Sequence, residues 1–155
     1  MGFELRTRWG QRVEGVFTRH QGVVTVLADG RQQVQLTLAA AGVEVAGSSY
    51  YTAMARGPQF FDAARHPYID FLSEPHQLAL VHDGGKLRGK LTLHGVTRSE
   101  SFILQPAECA RPGRDCDVVA TGVINRADYG LSGYRLVLSD RVRFTMRVRL
   151  KNEEQ

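Results

Sequence analysis

The 155 residues carry a net charge of +4, from 20 Lys and Arg against 16 Asp and Glu, with 43% hydrophobic and 23% charged side chains. That length fits one domain spanning 1–155 with a single core, and the composition excludes the disordered and fibrous classes. No apolar run approaches the roughly 20 residues of a membrane helix, and the first thirty residues lack the apolar stretch of a signal peptide.

The chain opens with Phe3, Leu5, Thr7 and Trp9 alternating with Glu4, Arg6 and Arg8, the period-2 pattern of a half-buried strand. Further strands are expected at 13–17 and 23–27. At 33–38, Val34, Leu36 and Leu38 face one way and Gln33, Gln35 and Thr37 the other, with the Asp29-Gly30 pair marking a hairpin turn before them. The stretch GSSYYTAMARGPQFFDAARHP, residues 47–67, breaks the alternation with alanines and aromatics. It reads as one or two short helical turns, the first capped by Ser48 or Ser49 and stopped by Gly57-Pro58, the second around 59–62. Alternation returns at Ile69 and Phe71, at Leu87, Leu91 and Leu93, and at Phe102 and Leu104, while in 118–124 both faces are apolar and the phase is unreadable. Many strands separated by turns, with one helical excursion, describe an all-β antiparallel barrel.

The chain nears its end with DRVRFTMRVRLK, in which Arg141, Arg143, Arg147, Arg149 and Lys151 supply five positive charges, more than the whole net excess. Phe144, Met146 and Val148 lie on the other face of the same strand. An alternating basic stripe is suited to tracking phosphates, but it lacks the interleaved exposed aromatics of single-strand binders. A solvated outer face or edge protection is the simpler role.

Catalysis finds little support. His20, His66, His76, His82 and His94 are scattered without the close pairing on one element that zinc enzymes show, so no metal site is expected. Asp70, Ser73 and His76 contain the residue types of a hydrolase triad without a nucleophile elbow. Cys109 and Cys116 flank Pro112-Gly113, a spacing compatible either with two free thiols or with a disulfide across a hairpin loop.

Three stretches carry a family resemblance: GKLTLHGVTRS at 89–99, ATGVINRADYGL at 120–131 and GPQFFDAARHPYIDFLS at 57–73. In that order they resemble the signatures of the YceI-like, lipocalin-like polyisoprenoid-binding family. The resemblance implies an eight-stranded antiparallel barrel holding a long apolar chain, a polyprenyl lipid or quinone, as a non-catalytic carrier with no cofactor beyond that ligand. A polyanion- or nucleic-acid-binding barrel using the C-terminal arginine strand is the alternative. The tube walls would come from Phe3, Leu5, Trp9, Leu36, Phe71, Leu91, Leu93, Phe102, Phe144, Met146 and Val148. Phe60, Phe61, His94, Asn125, Arg126 and Tyr129 are the candidates for a polar mouth. The competing reading of NRADYG is a structural corner, in which Asn125 and Asp128 bond local backbone, Arg126 pairs with Asp128 or Asp62, and Gly130 supplies an unusual dihedral. Family members are mostly exported to the bacterial periplasm, so the resemblance also favours a Cys109–Cys116 disulfide. It implies a periplasmic protein whose export signal was removed, with a cytoplasmic variant as the alternative. The expected partner is an amphiphilic lipid rather than nucleic acid, and transient membrane contact and a homodimer are compatible with that role.

Overall fold

The computed structural model describes residues 1–134 and 136–150. Ten strand segments follow in chain order: β1 (Gly2–Arg6), β2 (Arg12–Phe17), β3 (His20–Val26), β4 (Gln32–Ala39), β5 (Val43–Val45), β6 (Tyr68–Ser73), β7 (Gly85–Leu93), β8 (Val96–Leu104), β9 (Val118–Asn125) and β10 (Arg141–Val148). Two helices, α1 (Ser49–Arg56) and α2 (Leu78–Asp83), interrupt them. The hydrogen-bonded order is β3-β4-β6-β7-β8-β9-β10-β1-β2-β5. Its two ends are halves of one long hairpin, bent where Thr18 N donates to Gly42 O (3.0 Å) and Ala39 N to Arg19 O (2.9 Å). Counting β2 with β3 and β4 with β5 as single bent staves, the ten segments close into an eight-stranded antiparallel barrel.

Loops after β1, β5, β7 and β9 gather at one end, called upper, and those after β3, β6 and β8 at the lower end, where β10 also finishes. The seam between β8 and β9 is short, with only Ile103↔Thr121 and Leu104↔Ala120 in register, whereas β9 and β10 pair along eight positions. Above that short seam, the Tyr129 hydroxyl donates to Glu100 Oε2 at 2.5 Å and ties the following loop back to β8.

The alternation read from the sequence sets which side chains enter the barrel. On β10, Val142, Phe144 and Met146 are buried while Arg141, Arg143 and Arg147 are exposed, so the basic stripe is the outer wall; Lys151 lies outside the described residues. The unreadable phase of β9 resolves because its inward positions are small: Ala120 and Gly122 precede Ile124. Gly122 lies against the Phe102 ring, and a Cβ there would stand 2.5 Å from it, so only glycine allows this approach.

Ser48 caps α1, its hydroxyl accepting from Tyr51 N at 3.0 Å, and Gly57 ends the helix. The expected second helical turn at 59–62 is instead a non-helical turn in which Phe60 N and Asp62 N both donate to Gly57 O. The short helix α2 was not foreseen; it has no side-chain cap and no fully buried residue, so it leaves a faint pattern. Trp9 also departs from expectation. β1 stops at Arg6, and the chain turns as Thr7 N donates to Gln11 O and Gln11 N donates to Thr7 Oγ1 (2.9 Å), leaving Trp9 67% exposed.

Candidate functional site

Two apolar cavities enter the barrel from opposite ends. The lower, of about 360 Å³, is lined by Leu36, Phe71, Leu87, Leu104, Ala120, Met146 and Val148 from the strands, by Leu78 and Val81 of α2, and by residues 110–114. A small void of about 20 Å³ continues it inward, sharing Leu36, Phe71 and Met146 and adding Leu38, Ile69, Leu91, Phe102 and Phe144. Together their apolar linings run from the lower rim to Phe144. The upper cavity, of about 470 Å³, lies between α1, β1, β2 and the side chains of Tyr134, Val137 and Leu138, and includes Phe3, Leu5, Trp9, Val45, Met54, Ala55 and Phe60.

Four phenylalanines stand between the two. Phe3 packs on Phe17 (centroids 5.7 Å apart), Phe61 (5.5 Å) and Phe144 (6.4 Å), and Phe17 also meets Phe61 at 5.5 Å. Phe3 lines the upper cavity and Phe144 the central void, so this quartet closes the path between the two limbs. The two edge-to-face pairs among them, Phe3–Phe61 and Phe17–Phe61, add about 0.5–1.5 kcal/mol each beyond area burial.

The eleven tube candidates are therefore divided. Leu36, Phe71, Leu91, Phe102, Phe144, Met146 and Val148 surround the lower limb and its void, and Phe3, Leu5 and Trp9 belong to the upper cavity. Trp9 sits on the exposed rim rather than in a tube wall. Leu93 is buried but lines none of these spaces.

The mouth candidates gather at the upper end, where they build a corner rather than ring an opening. Arg126 is 0% exposed. Its guanidinium donates to four backbone carbonyls, those of Leu131 (2.7 Å), Gly133 (2.8 Å), Ser139 (3.0 Å) and Leu138 (3.4 Å), and lies over the Phe60 ring 5.4 Å from the centroid. Among the described residues its ion pair is with Asp140 at 4.0 Å, in place of the expected Asp128 or Asp62. Asn125 Oδ1 accepts from Ala127 N at 2.9 Å, and Gly130 takes φ 73°. Phe61 is buried in the quartet and Phe60 beside the upper cavity. Tyr129 is fully buried, and burial first, then its bond to Glu100, pushes its phenol above the ordinary range. His94 turns the chain between β7 and β8, its Nδ1 3.1 Å from Tyr129 O.

Polar groups line both cavities, Thr7, Gln11, Arg12 and Glu14 at the upper one and His76, Arg111 and Arg114 at the lower, and sequence reasoning assembled neither set. His76 is buried at the cavity wall; burial lowers its pKa from the usual 6.5 and so favours the neutral imidazole, and a hydrogen bond to the Glu74 carbonyl partly opposes this. Arg111 is bound by Asp115 at 2.9 and 3.1 Å. Arg114 lines the same rim, is exposed, and its guanidinium makes no ion pair or hydrogen bond with a described residue. Both arginines are held on the loop that the Cys109–Cys116 disulfide closes, with Cα atoms 6.1 Å apart. The Pro112-Gly113 turn signal marked this loop; nothing local showed that it folds over the barrel end.

The YceI-like domain model matches residues 1–150. Among solved structures, the Burkholderia cenocepacia protein BcnA aligns with a TM-score of 0.73 at 19% identity, over 94% of this chain and 93% of that one. A Campylobacter jejuni YCEI protein aligns at 0.71 and 20% identity, over 90% and 85%. A polyisoprenoid binding domain from Saccharophagus degradans, described as implicated in plant cell wall breakdown, aligns at 0.67 and 18% identity, over 93% and 89%. None of the curated proteins matches the sequence. With the barrel, its signature stretches and the family match over nearly its whole length, this chain belongs to the YceI-like family.

Proposed function

We propose that the protein is a non-catalytic carrier of an amphiphile with a long isoprenoid-type chain, a polyprenyl lipid or a quinone tail, held in the lower limb. The observation that carries this reading is the apolar lower cavity of about 360 Å³, which runs from the 110–114 rim to Leu36, Phe71 and Met146, with a small void toward Phe144 behind it. Its volume falls in the range of about 300–1,000 Å³ usual for ligand sites. Each Å² of chain removed from water contributes roughly 25 cal/mol, so an apolar path along the barrel suits a tail better than a compact ligand. The polar head would lie at the rim beside His76 and Arg114. Kinship with a polyisoprenoid binding domain supports the ligand class, and a disulfide-closed rim suits the periplasm. No observation favours the polyanion reading over this one, because the register sets Glu4 beside Arg143 and Arg149 is paired with Asp117 at 2.9 Å.

Organic extraction of purified protein followed by mass spectrometry tests the proposal. The wild type should release a long-chain amphiphile. Ala120→Phe, which fills the lower limb, should lose it, while Ala55→Phe in the upper cavity should keep it. A folded Ala120→Phe protein that retains its full load overturns the assignment.

A further inference from the structure

Asp62, His66 and His94 are scattered in the sequence but converge at the upper end, where their candidate ligand atoms all lie within 4.8 Å of one another. Asp62 and His66 share one turn, Asp62 O accepting from His66 N at 2.9 Å, and His94 arrives from the connection between β7 and β8. The imidazole centroids are 4.6 Å apart.

Four features mark the cluster. Asp62 is only 8% exposed, yet its carboxylate makes no hydrogen bond or ion pair with a described residue. Its oxygens are not sealed from water, since no enclosed side-chain oxygen among the described residues lacks a hydrogen-bond partner, so they are open to an ion. Asp62 (φ 52°) and His94 (φ 55°) both adopt the left-handed region, which is uncommon for residues with a side chain. The backbone thus accepts two such positions where the cluster forms. His94 Nδ1 lies within hydrogen-bonding distance of Tyr129 O, so a proton on Nδ1 leaves the Nε2 lone pair available. Metal-binding histidines are commonly oriented by this kind of bond to a carbonyl. Gly95 makes room for the second imidazole, since a Cβ there would stand 2.9 Å from His66 Cε1.

We propose that Asp62, His66 and His94 bind a single divalent transition-metal ion of the zinc class. Two imidazole nitrogens and one carboxylate oxygen match the borderline donors zinc takes, whereas calcium and magnesium prefer all-oxygen sets. Three protein ligands leave at least one coordination position for water. Because Phe60 and Phe61 immediately precede Asp62, the ion would also fasten the segment bearing one side of the phenylalanine quartet to the turn between β7 and β8.

Untagged protein, stripped with chelator and titrated calorimetrically with zinc, should bind one ion per chain, and cobalt should give visible absorption from the same site. Asp62→Asn and His94→Asn each preserve a side chain that tolerates the left-handed region, so both should fold. Each should weaken zinc binding at least tenfold and abolish the rise in melting temperature that zinc produces in the wild type. A His76→Gln, His82→Gln double variant should bind as the wild type does. Equal zinc affinity in wild type and Asp62→Asn, or loss of binding in the His76, His82 variant alone, overturns the proposal, as does failure of stripped, folded wild type to take up zinc or cobalt.

Discussion

Arg126 and Arg114 occupy opposite ends of the barrel and use their charge in opposite ways. Arg126 lies in the signature stretch, fully buried, its donors directed at backbone carbonyls of the loop that follows β9. Arg114 belongs to the disulfide-closed loop outside the signature stretches, exposed at the lower rim, with its guanidinium unclaimed by any described residue. A conspicuous cation in a motif can be structural because a buried guanidinium persists only when its hydrogen bonds are met. A cation left unpaired at the edge of an apolar cavity is the one available to a ligand.

The largest expected effect comes from breaking the buried member of this pair. Arg126→Met keeps most of the volume but strands several carbonyls in the interior, each costing about 1–3 kcal/mol when its partner is lost. Partial relaxation of the loop should leave a net loss of about 3–5 kcal/mol, read as a lower urea midpoint. Arg114→Ala should leave that midpoint unchanged within about 0.5 kcal/mol. Its effect should fall on binding: an anionic-head lipid should lose about 1 kcal/mol, near fivefold, while a neutral-head lipid of equal chain length loses little, and added salt should shrink the difference. Equal losses for both lipids would remove Arg114 from the head-group site and leave the two arginines alike.

What the sequence made legible follows the range of the interactions involved. Strand phase, the Ser48 cap and the Asp29-Gly30 turn depend on neighbours within a few residues, and each stands where the pattern placed it. The β9 phase was hidden because small Ala120 and Gly122 occupy inward sites that elsewhere hold large apolar residues, leaving space for Phe102 and the cavity. Trp9 continued the alternation of β1 past the point where Thr7 turns the chain, since alternation reports polarity and not where pairing stops. NRADYG gave its corner correctly in Asn125 and Gly130, but the acceptors of Arg126 are carbonyls 5 to 13 residues away, invisible as residue types. The lower rim and the Asp62, His66, His94 cluster depend on strands and loops closing around the barrel, so no local spacing announced them.

The smallest expected effect concerns the outer stripe of β10, and it tests whether burial rather than charge distinguishes working residues from wall. Arg143 and Arg147 are exposed, and Arg143 sits in register with Val123 on one side and Glu4 on the other. Glu4 is already shared with Arg6 at 4.0 Å and Arg12 at 3.7 Å, so removing Arg143 leaves it partnered. Exposed ion pairs of this kind are worth about 0–1 kcal/mol, and Arg143→Gln with Arg147→Gln should change stability by less than about 0.5 kcal/mol. Lipid loading, measured by mass spectrometry of extracts, should stay at the wild-type level. On the opposite face of the same strand, Met146→Arg would push a charge among Leu36, Phe71 and Phe144, where an unpaired charge is strongly unfavourable, and loading should collapse. If the arginine variant loses its lipid while folded Met146→Arg retains it, with circular dichroism confirming both folds, the outer stripe is the working surface. Salt-sensitive oligonucleotide binding that disappears with Arg143 and Arg147 would then identify its partner as a polyanion.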